Sequence, residues 1–288
     1  MPTSYFISIL AALFLQDPAP NPADQQPKPR QETKEGTGIP TYEVVGKRTS
    51  ELQEEDLIGP NGQPRWTATR RFPTTRVYVV PEGKVEFEWW MRTTFPKDGG
   101  PAEVRYLWEI EMGLPYRLQI DLYFGMEAVG SDGDFNFSRQ QLEVRWALAD
   151  WGKIWGNPTV YAEYVNKADE SDQVEFKLLL GDQLAPGWHW GVNAVLERDL
   201  HDALTNEWQF TAGIAKTITD MKLSLGGEIQ AIWADTAQDR GNFEKEFFIG
   251  PSIQWRPQPR MTVNLSLLKG VGSDSPDART FLNVGWEF

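Results

Sequence analysis

The sequence predicts an all-β fold, a transmembrane antiparallel up-and-down β-barrel of about twelve strands. First, apolar and polar residues alternate with a period of two along the last two-thirds of the 288-residue chain. Second, most alternating segments are roughly 11 to 16 residues long, whereas strands of soluble proteins usually have about 5–6 residues and a tilted membrane-spanning strand needs about 9–11. Third, short and long connections alternate between these segments, as an up-and-down barrel requires.

The alternation is clear between residues 103 and 112. Odd-numbered positions carry mostly charged side chains, among them Glu103, Arg105 and Glu109. Even-numbered positions carry apolar and aromatic side chains, namely Val104, Tyr106, Trp108, Ile110 and Met112. Successive side chains of a strand point to opposite faces, so a strand places one row in lipid and the other in water, whereas a helix would scatter the charges around its circumference.

The predicted barrel covers residues 85–288. Its segments begin near residues 85, 102, 116, 139, 157, 172, 187, 205, 221, 243, 261 and 278. The connection at 219–221 is tight, the one at 235–242 is long, the one at 257–260 is short and the last, at 270–277, is long. This order indicates that both ends of the barrel chain lie in the periplasm, although the turn at 151–157 is longer than the pattern predicts.

The apolar row is rich in tryptophan. Nine of the 13 tryptophans fall on it in the predicted register, namely Trp89, Trp108, Trp146, Trp188, Trp190, Trp208, Trp233, Trp255 and Trp286. Several lie near strand ends, where membrane barrels form interfacial aromatic belts. A large soluble β-sandwich is the alternative, but a dozen long, continuous apolar faces would leave a sandwich with too few breaks.

The last residues of the chain alternate from Leu282 to the aromatic Phe288. This ending resembles the closing strand of Gram-negative outer-membrane β-barrels, whose terminal Phe is read by the assembly machinery as an insertion signal. The resemblance is to porin-like and transporter-like barrels as a class, and it implies a location in the bacterial outer membrane. It also implies that Trp286 and Phe288 form the insertion signal, and that outer-membrane lipid and the outer-membrane assembly machinery are partners.

The first 84 residues have a different pattern from the barrel. We expect a secretory signal peptide at 1–23, because its apolar stretch is too short to span a membrane, followed by a disordered linker at 24–40 rich in Pro, Asp, Gln and Lys. Residues 41–84 are expected to lie at the periplasmic mouth or to plug the lumen. Their basic cluster suits an acidic interior electrostatically and consists of Arg65, Arg70, Arg71 and Arg76.

The inward row is predicted to line the lumen, and carboxylates outnumber basic side chains on it. The residues predicted to line it are Glu86, Glu88, Arg92, Glu103, Arg105, Glu109, Glu111, Arg117, Asp121, Glu127, Glu143 and Arg145. Because rings of carboxylates concentrate cations in a narrow tube, we expect a channel for cations or small polar solutes. Inward glycines such as Gly191 and Gly213 take no volume and favour an open lumen, while a structural barrel with a filled lumen is the alternative.

A rim protease is an alternative from a different functional class. Asp132 and Asp134 lie in the second predicted outer loop, and Asp199 and His201 begin the fourth. These pairs resemble the acid pair and the Asp-x-His pair of the omptin outer-membrane proteases, which implies that they activate a catalytic water. Turn-forming Asp residues and an exposed His account for the same residues without catalysis.

Composition disfavours several other functions. The chain has no Cys and only two His, so it offers no thiolate and few ligands for a zinc or haem site, and neither a metal nor a cofactor is predicted. The net charge of −13 argues against nucleic acid as a partner, because its phosphates would be repelled.

Overall fold

The computed structural model describes residues 53–129, 133, 135–168 and 170–288. Within these residues twelve antiparallel strands form a closed barrel, which confirms the predicted fold class and strand number. The barrel strands are β3 Val85–Phe95, β4 Glu103–Leu114, β5 Leu118–Val129, β6 Asn136–Ala147, β7 Thr159–Lys167, β8 Gln173–Ala185, β9 Trp188–Asp199, β10 Asn206–Thr219, β11 Leu223–Asp235, β12 Glu244–Gln258, β13 Met261–Gly270 and β14 Ala278–Glu287. A two-stranded ladder of β1 Leu57–Ile58 and β2 Gln63–Pro64 precedes them. Among the described residues, no helix is long and apolar enough to cross a membrane.

Each barrel strand pairs with its neighbours in the chain, and the last strand pairs with the first. In this closing seam β14 runs antiparallel to β3, from Ala278 opposite Phe95 to Glu287 opposite Glu86. Every barrel strand begins close to its predicted start, and β3, β13 and β14 begin at the predicted residue. The agreement has a local cause, because the period-two alternation is written in each strand's own residues.

Burial alternates along the strands and identifies the inner face. In β7, Tyr161, Glu163 and Val165 are buried while Val160 and Tyr164 are exposed. The outer rows are apolar and exposed, as a lipid-facing surface must be. The most exposed tryptophans of this surface lie toward the strand ends and form two belts, with Trp146, Trp188, Trp255 and Trp286 at one end and Trp208 and Trp233 at the other.

The two ends of the barrel differ in their connections. The short-turn end carries the start of β3, the end of β14 and the turns after β4, β8, β10 and β12, whereas the long-loop end carries the connections after β3, β5, β7, β9, β11 and β13. One connection at the short-turn end, 147–159, is long because it covers residues from before β3 that lie inside the barrel. The backbone N–H of Trp151 donates to Asn61 O at 3.0 Å, and the Tyr78 hydroxyl donates to Ala149 O at 2.6 Å.

Residues 53–84, here called the inner segment, enter the barrel at its short-turn end, and most of them are buried there. Trp66 and Phe72 are fully buried and belong to one hydrophobic cluster with Ala147 and Ala215 of the wall. The segment is mostly extended, with one 3-10 turn at Arg65–Ala68. Its backbone and side chains therefore meet the inward-facing side chains of the strands, and these contacts form the candidate site.

Candidate functional site

Carboxylates gather on the inner wall of β3 to β6 near the short-turn end. Strand pairing brings six of them together, namely Glu86, Glu88, Glu109, Glu111, Asp121 and Glu143. All six are completely buried. Like charges opposite one another in a sheet repel, and a buried charge without a partner is costly. The strands supply one cation within this group, Arg145, whose Nη2 lies 3.0 Å from Asp121 Oδ2 and whose Nε pairs with Glu143.

The inner segment supplies further cations. Arg70 Nε lies 3.0 Å from Glu88 Oε2. The Nη2 atom of the same guanidinium lies 3.5 Å from Glu109 Oε2 and 3.4 Å from Glu111 Oε1. Burial alone would lower the pKa of Arg70, but these carboxylates raise it above its usual value, so Arg70 stays charged. Arg76 forms a second ion pair with Glu111.

Hydrogen bonds fix the inner segment to the opposite side of the wall. The backbone N–H of Thr74 donates to Glu228 Oε2 of β11 at 2.8 Å. The Asn193 side chain of β9 accepts from the backbone N–H of Arg76 at 2.8 Å and donates to Arg76 O at 2.7 Å. Wall side chains thus satisfy backbone groups that have no sheet partner, which is how an extended segment can be buried.

Glycines of the wall make room for the inner segment. A Cβ at Gly213 would lie 2.6 Å from Phe72 Cδ1, and a Cβ at Gly181 would lie 2.4 Å from Val77 Cγ1. Gly191 faces the same two side chains. The expectation that Gly191 and Gly213 keep the lumen open is therefore corrected, because the space beside them is filled by the segment.

The rest of the barrel interior, toward the long-loop end, holds two adjoining cavities, here called the vestibule. Their volumes are about 240 and 340 Å³. The side chains that line both cavities are Arg92, Arg105, Arg139, Gln173 and Glu197. Arg70 and Pro73 of the inner segment line the first cavity, so the segment forms the floor of the vestibule.

Charged side chains of both signs line the vestibule, and Lys167 and Lys177 lie among its acidic residues. The basic residues on β14, β3, β4 and β6 are Arg279, Arg92, Arg105 and Arg139. The acidic residues on β7 to β10 are Glu163, Glu175, Glu197 and Glu207. Arg105 pairs with Glu127 at 2.8 Å and Arg279 pairs with Glu246 at 3.0 Å, whereas the other two arginines form no ion pair within the described part of the chain. The accessible part of the lumen therefore carries both signs of charge.

The residues predicted to line the lumen divide between the part of the barrel filled by the inner segment and the vestibule. Those buried against or beneath the inner segment are Glu86, Glu88, Glu109, Glu111, Asp121, Glu143 and Arg145. Arg92 and Arg105 line the vestibule, and Glu127 is the partner of Arg105. Glu103 is exposed at the long-loop end of β4.

The prediction that Arg117 lines the lumen is wrong, although the predicted register of β5 holds from Gln119 on. Arg117 lies in the 3-10 turn Pro115–Arg117 and not on the wall, and β5 begins one residue later. Pro115 cannot donate to a sheet ladder, and Tyr116 and Arg117 both have a φ of 63°, so the chain turns here. The Arg117 guanidinium donates to Asp150 Oδ1 at 2.9 Å across the short-turn end.

The candidate protease residues are not assembled by the described part of the structure. Asp132 and Asp134 lie outside the described residues. Asp199 ends β9, and its Oδ1 lies 3.4 Å from Lys167 Nζ. His201 is exposed, and no hydrogen bond or ion pair joins it to Asp199 among the residues described. A general base needs its orienting carboxylate within hydrogen-bond reach.

The predicted insertion signal ends the closing strand. The Trp286 and Phe288 side chains are 38% and 73% exposed. The backbone N–H of Phe288 donates to Val85 O at 3.0 Å, so the terminal residue is held to the first barrel strand. The signal role of these two residues stays a prediction, and the expected signal peptide at 1–23 and linker at 24–40 lie outside the described residues.

Two arginines of the interior were not singled out from the sequence. Arg139 and Arg279 lie on the inward rows of β6 and β14, so the alternation that identified Arg92 and Arg105 contained the signal for both. His189 also lies on an inward row. Its significance depends on neighbours from the inner segment, and alternation within a strand carries no information about them.

No protein-family model matches the chain, and no curated protein matches it. Among solved structures, the NanC porin superposes with a TM-score of 0.50 at 10% identity, covering 71% of this chain and 100% of that chain. The KdgM porin gives a TM-score of 0.49 at 6% identity, covering 70% of this chain and 99% of that chain. An outer-membrane channel from Pseudomonas putida F1 gives 0.49 at 10% identity, covering 74% and 98%. KdgM has also been solved in complex with disordered oligogalacturonate.

At this level of identity the likeness to the NanC porin shows the fold. The closed antiparallel topology, the apolar outer rows and the two tryptophan belts agree with that fold. The chain is therefore a twelve-stranded β-barrel of the bacterial outer membrane, similar in fold to the NanC porin.

Proposed function

We propose that the protein is an outer-membrane channel for small polar solutes and that the inner segment closes it in this conformation. The observation that carries the proposal is the polarity of the wall beneath the segment. Beyond the carboxylate group, the buried inward side chains are polar on most strands and include Asn193, Thr211, Ser224, Glu228, Ser252, Gln254, Asn264 and Asn283. A wall of this composition accepts water when the segment leaves, whereas an apolar wall would not.

The contacts of the inner segment suit reversible docking. Buried ion pairs contribute little net stability, because desolvation offsets most of their attraction. Several buried carboxylate oxygens, on Glu86, Glu88 and Glu109, have no hydrogen-bond partner within the described residues. Water would satisfy these atoms on opening, which lowers the free-energy cost of displacing the segment.

The vestibule determines which solutes reach the closed floor. Unpaired arginines face carboxylates across it, so neither sign of charge is strongly favoured. Trp90, Tyr123 and Tyr161 add aromatic surface beside the charged groups. We therefore favour small polar solutes over a strict cation preference, since the carboxylates behind that preference are largely neutralised by Arg70, Arg76 and Arg145.

A cross-link tests whether the inner segment closes the channel. The Thr75 and Thr211 hydroxyls, one on the segment and one on β10, lie 3.0 Å apart, and the chain has no native Cys. We expect the Thr75→Cys/Thr211→Cys protein to be silent in planar bilayers when oxidised and to give conductance steps when reduced. The matched control is Asn264→Cys/Asn283→Cys, which links the two wall strands β13 and β14 at side chains that lie 2.8 Å apart. The conductance of this control should be the same in the oxidised and the reduced state.

Two results would contradict the proposal. If the oxidised segment-to-wall protein conducts as well as the reduced one, the segment does not close the pore. If the reduced protein is folded and inserted but never conducts, the filled structural barrel is the better description. The hydrophobic cluster around Trp66 and Phe72 is the observation that favours that second description.

A further inference from the structure

His189 is a buried imidazole with unused hydrogen-bonding capacity. It is the second residue of β9, faces inward and is completely buried. Both ring nitrogens lack a hydrogen-bond partner among the described residues. Its ring lies against Trp66 of the inner segment, with the two ring centroids 4.4 Å apart. A buried polar group without a partner is costly, so the site has capacity for a ligand.

Two carboxylates of the inner segment approach the same nitrogen. His189 Nε2 lies 3.4 Å from Glu55 Oε1 and 3.9 Å from Glu54 Oε1. The three ligand atoms all lie within 4.8 Å of one another. A tetrahedral Zn²⁺ ion with bonds of about 2.0–2.2 Å holds its ligand atoms about 3.4 Å apart. The two distances from Nε2, 3.4 and 3.9 Å, are therefore at or near the spacing of such an ion's ligands.

Neighbouring groups orient both carboxylates. Glu54 Oε2 lies 3.0 Å from Arg71 Nη2, and Oε1, which accepts from the Thr217 hydroxyl, is the oxygen nearer the imidazole. Glu55 Oε1 accepts from the backbone N–H of Gly187 at 2.8 Å. Outer contacts of this kind fix ligand orientation in metal sites. The Glu55 side chain is 37% exposed, which gives an ion access from the short-turn end and leaves a coordination position for water.

The other carboxylate groups of the interior differ in one respect. Glu88, Glu109 and Glu111 surround the guanidinium of Arg70. The group of Glu109, Asp121 and Glu143 is likewise served by Arg145. In both groups a guanidinium lies between the carboxylates. At the imidazole, Arg71 pairs with Glu54, whereas Glu55 forms no ion pair with a Lys or Arg among the described residues. Zinc is also the ion that suits a mixed imidazole and carboxylate set, while Mg²⁺ and Ca²⁺ take oxygen ligands.

We propose that Glu54, Glu55 and His189 form a binding site for a zinc-class divalent ion that joins the inner segment to the barrel wall. Two ligands belong to the segment and one belongs to β9, so the complete site exists only while the segment is docked. Zinc therefore stabilises the closed state. This last step rests on the proposed channel function, whereas binding of the ion does not.

Isothermal titration of the folded full-length protein with ZnCl₂, in excess MgCl₂, tests the site. We expect one ion per chain, and we expect His189→Asn and Glu55→Gln each to weaken zinc affinity at least tenfold. His201→Asn is the matched control, because His201 is the second of the two histidines and is exposed. Glu55 is partly exposed, so its variant keeps the test valid if His189→Asn fails to fold. The proposed site would be overturned if the parent protein does not bind zinc stoichiometrically. It would also be overturned if folded variants at His189 and at Glu55 both bind zinc as tightly as the parent.

Single-channel recording of the same protein tests the effect on closure. If only the docked state binds, zinc at 100 times its dissociation constant should lower the open-to-closed ratio about 100-fold, with recovery in EDTA. His189→Asn should be insensitive to zinc. Stoichiometric binding without any change in a conducting protein would overturn the coupling to closure. A protein that stays silent in EDTA would contradict the channel function, and the titration would still decide whether the site exists.

Discussion

Gly213→Ala is the sharpest test of how the inner segment is seated. Gly213 faces the barrel interior from β10, and the ring of Phe72 lies directly over it. An added Cβ would lie 2.6 Å from Phe72 Cδ1 and 2.8 Å from Phe72 Cγ. Carbon atoms in optimal contact are about 3.5–4.0 Å apart, so the fully buried Phe72 ring must move by about 1 Å.

The expected size of the effect follows from packing energetics. Overpacking of a well-packed interior costs about 1–3 kcal/mol. The wall keeps its ladder hydrogen bonds when Gly213 becomes Ala, so this cost falls on the docking of the inner segment. A shift of about 1–3 kcal/mol changes an equilibrium by roughly 5- to 150-fold. The open-to-closed ratio of Gly213→Ala should therefore rise by that factor.

Single-channel recording measures the open-to-closed ratio directly, and limited proteolysis of the inner segment gives a second readout. Gly227→Ala is the matched control, because Gly227 lies on the outward row of β11 and an added Cβ would approach nothing closer than Gly250 O at 3.5 Å. In a Phe72→Ala background, Gly213→Ala should change the ratio less than about twofold, since contact-dependent effects are lost when one partner is absent. An unchanged ratio in Gly213→Ala, or an equal increase in both backgrounds, would refute the seating of Phe72 on Gly213.

Three further predictions concern charge and pH. Glu111→Gln leaves Arg76 without its buried carboxylate partner. Breaking a buried ion pair costs about 3–5 kcal/mol, so the docked state should be destabilised and the open-to-closed ratio should rise at least 100-fold. An unchanged ratio would contradict a role of this ion pair in docking. Converting Arg92 and Arg139 to Glu should move the reversal potential in a KCl gradient toward cation selectivity, and no movement would show that solutes bypass the vestibule. Burial, and secondarily Asp150, raises the pKa of Tyr78 to about 12 from its usual 10.0. Because the pKa of Tyr78 is higher in the folded protein, the contribution of its hydrogen bond to docking is complete below pH 10. This contribution is lost as the pH approaches 12, because the phenolate no longer donates to Ala149 O. Protease susceptibility of the inner segment should rise over that range in the parent and rise less in Tyr78→Phe, and identical profiles would exclude Tyr78 as the cause.

The barrel wall could be predicted from the sequence because its determinants are local. Alternation in a stretch such as 103–112 assigns each side chain to a face without reference to any other strand. The same rule placed Glu109, Glu111 and Asp121 inside. It failed at Arg117, where a turn with positive φ interrupts the period.

The sequence by itself determined a membrane barrel, its strand number and most residues of its inner face, because a period of two is a property of consecutive residues. Only the tertiary structure decided that Arg70 and Arg76 neutralise the inward carboxylates, that Phe72 and Val77 occupy the space beside inward glycines, and that Glu55 meets His189. These contacts join residues far apart in the chain across the lumen. Their partners are selected by shape and charge in three dimensions, and no periodic pattern within a strand encodes them.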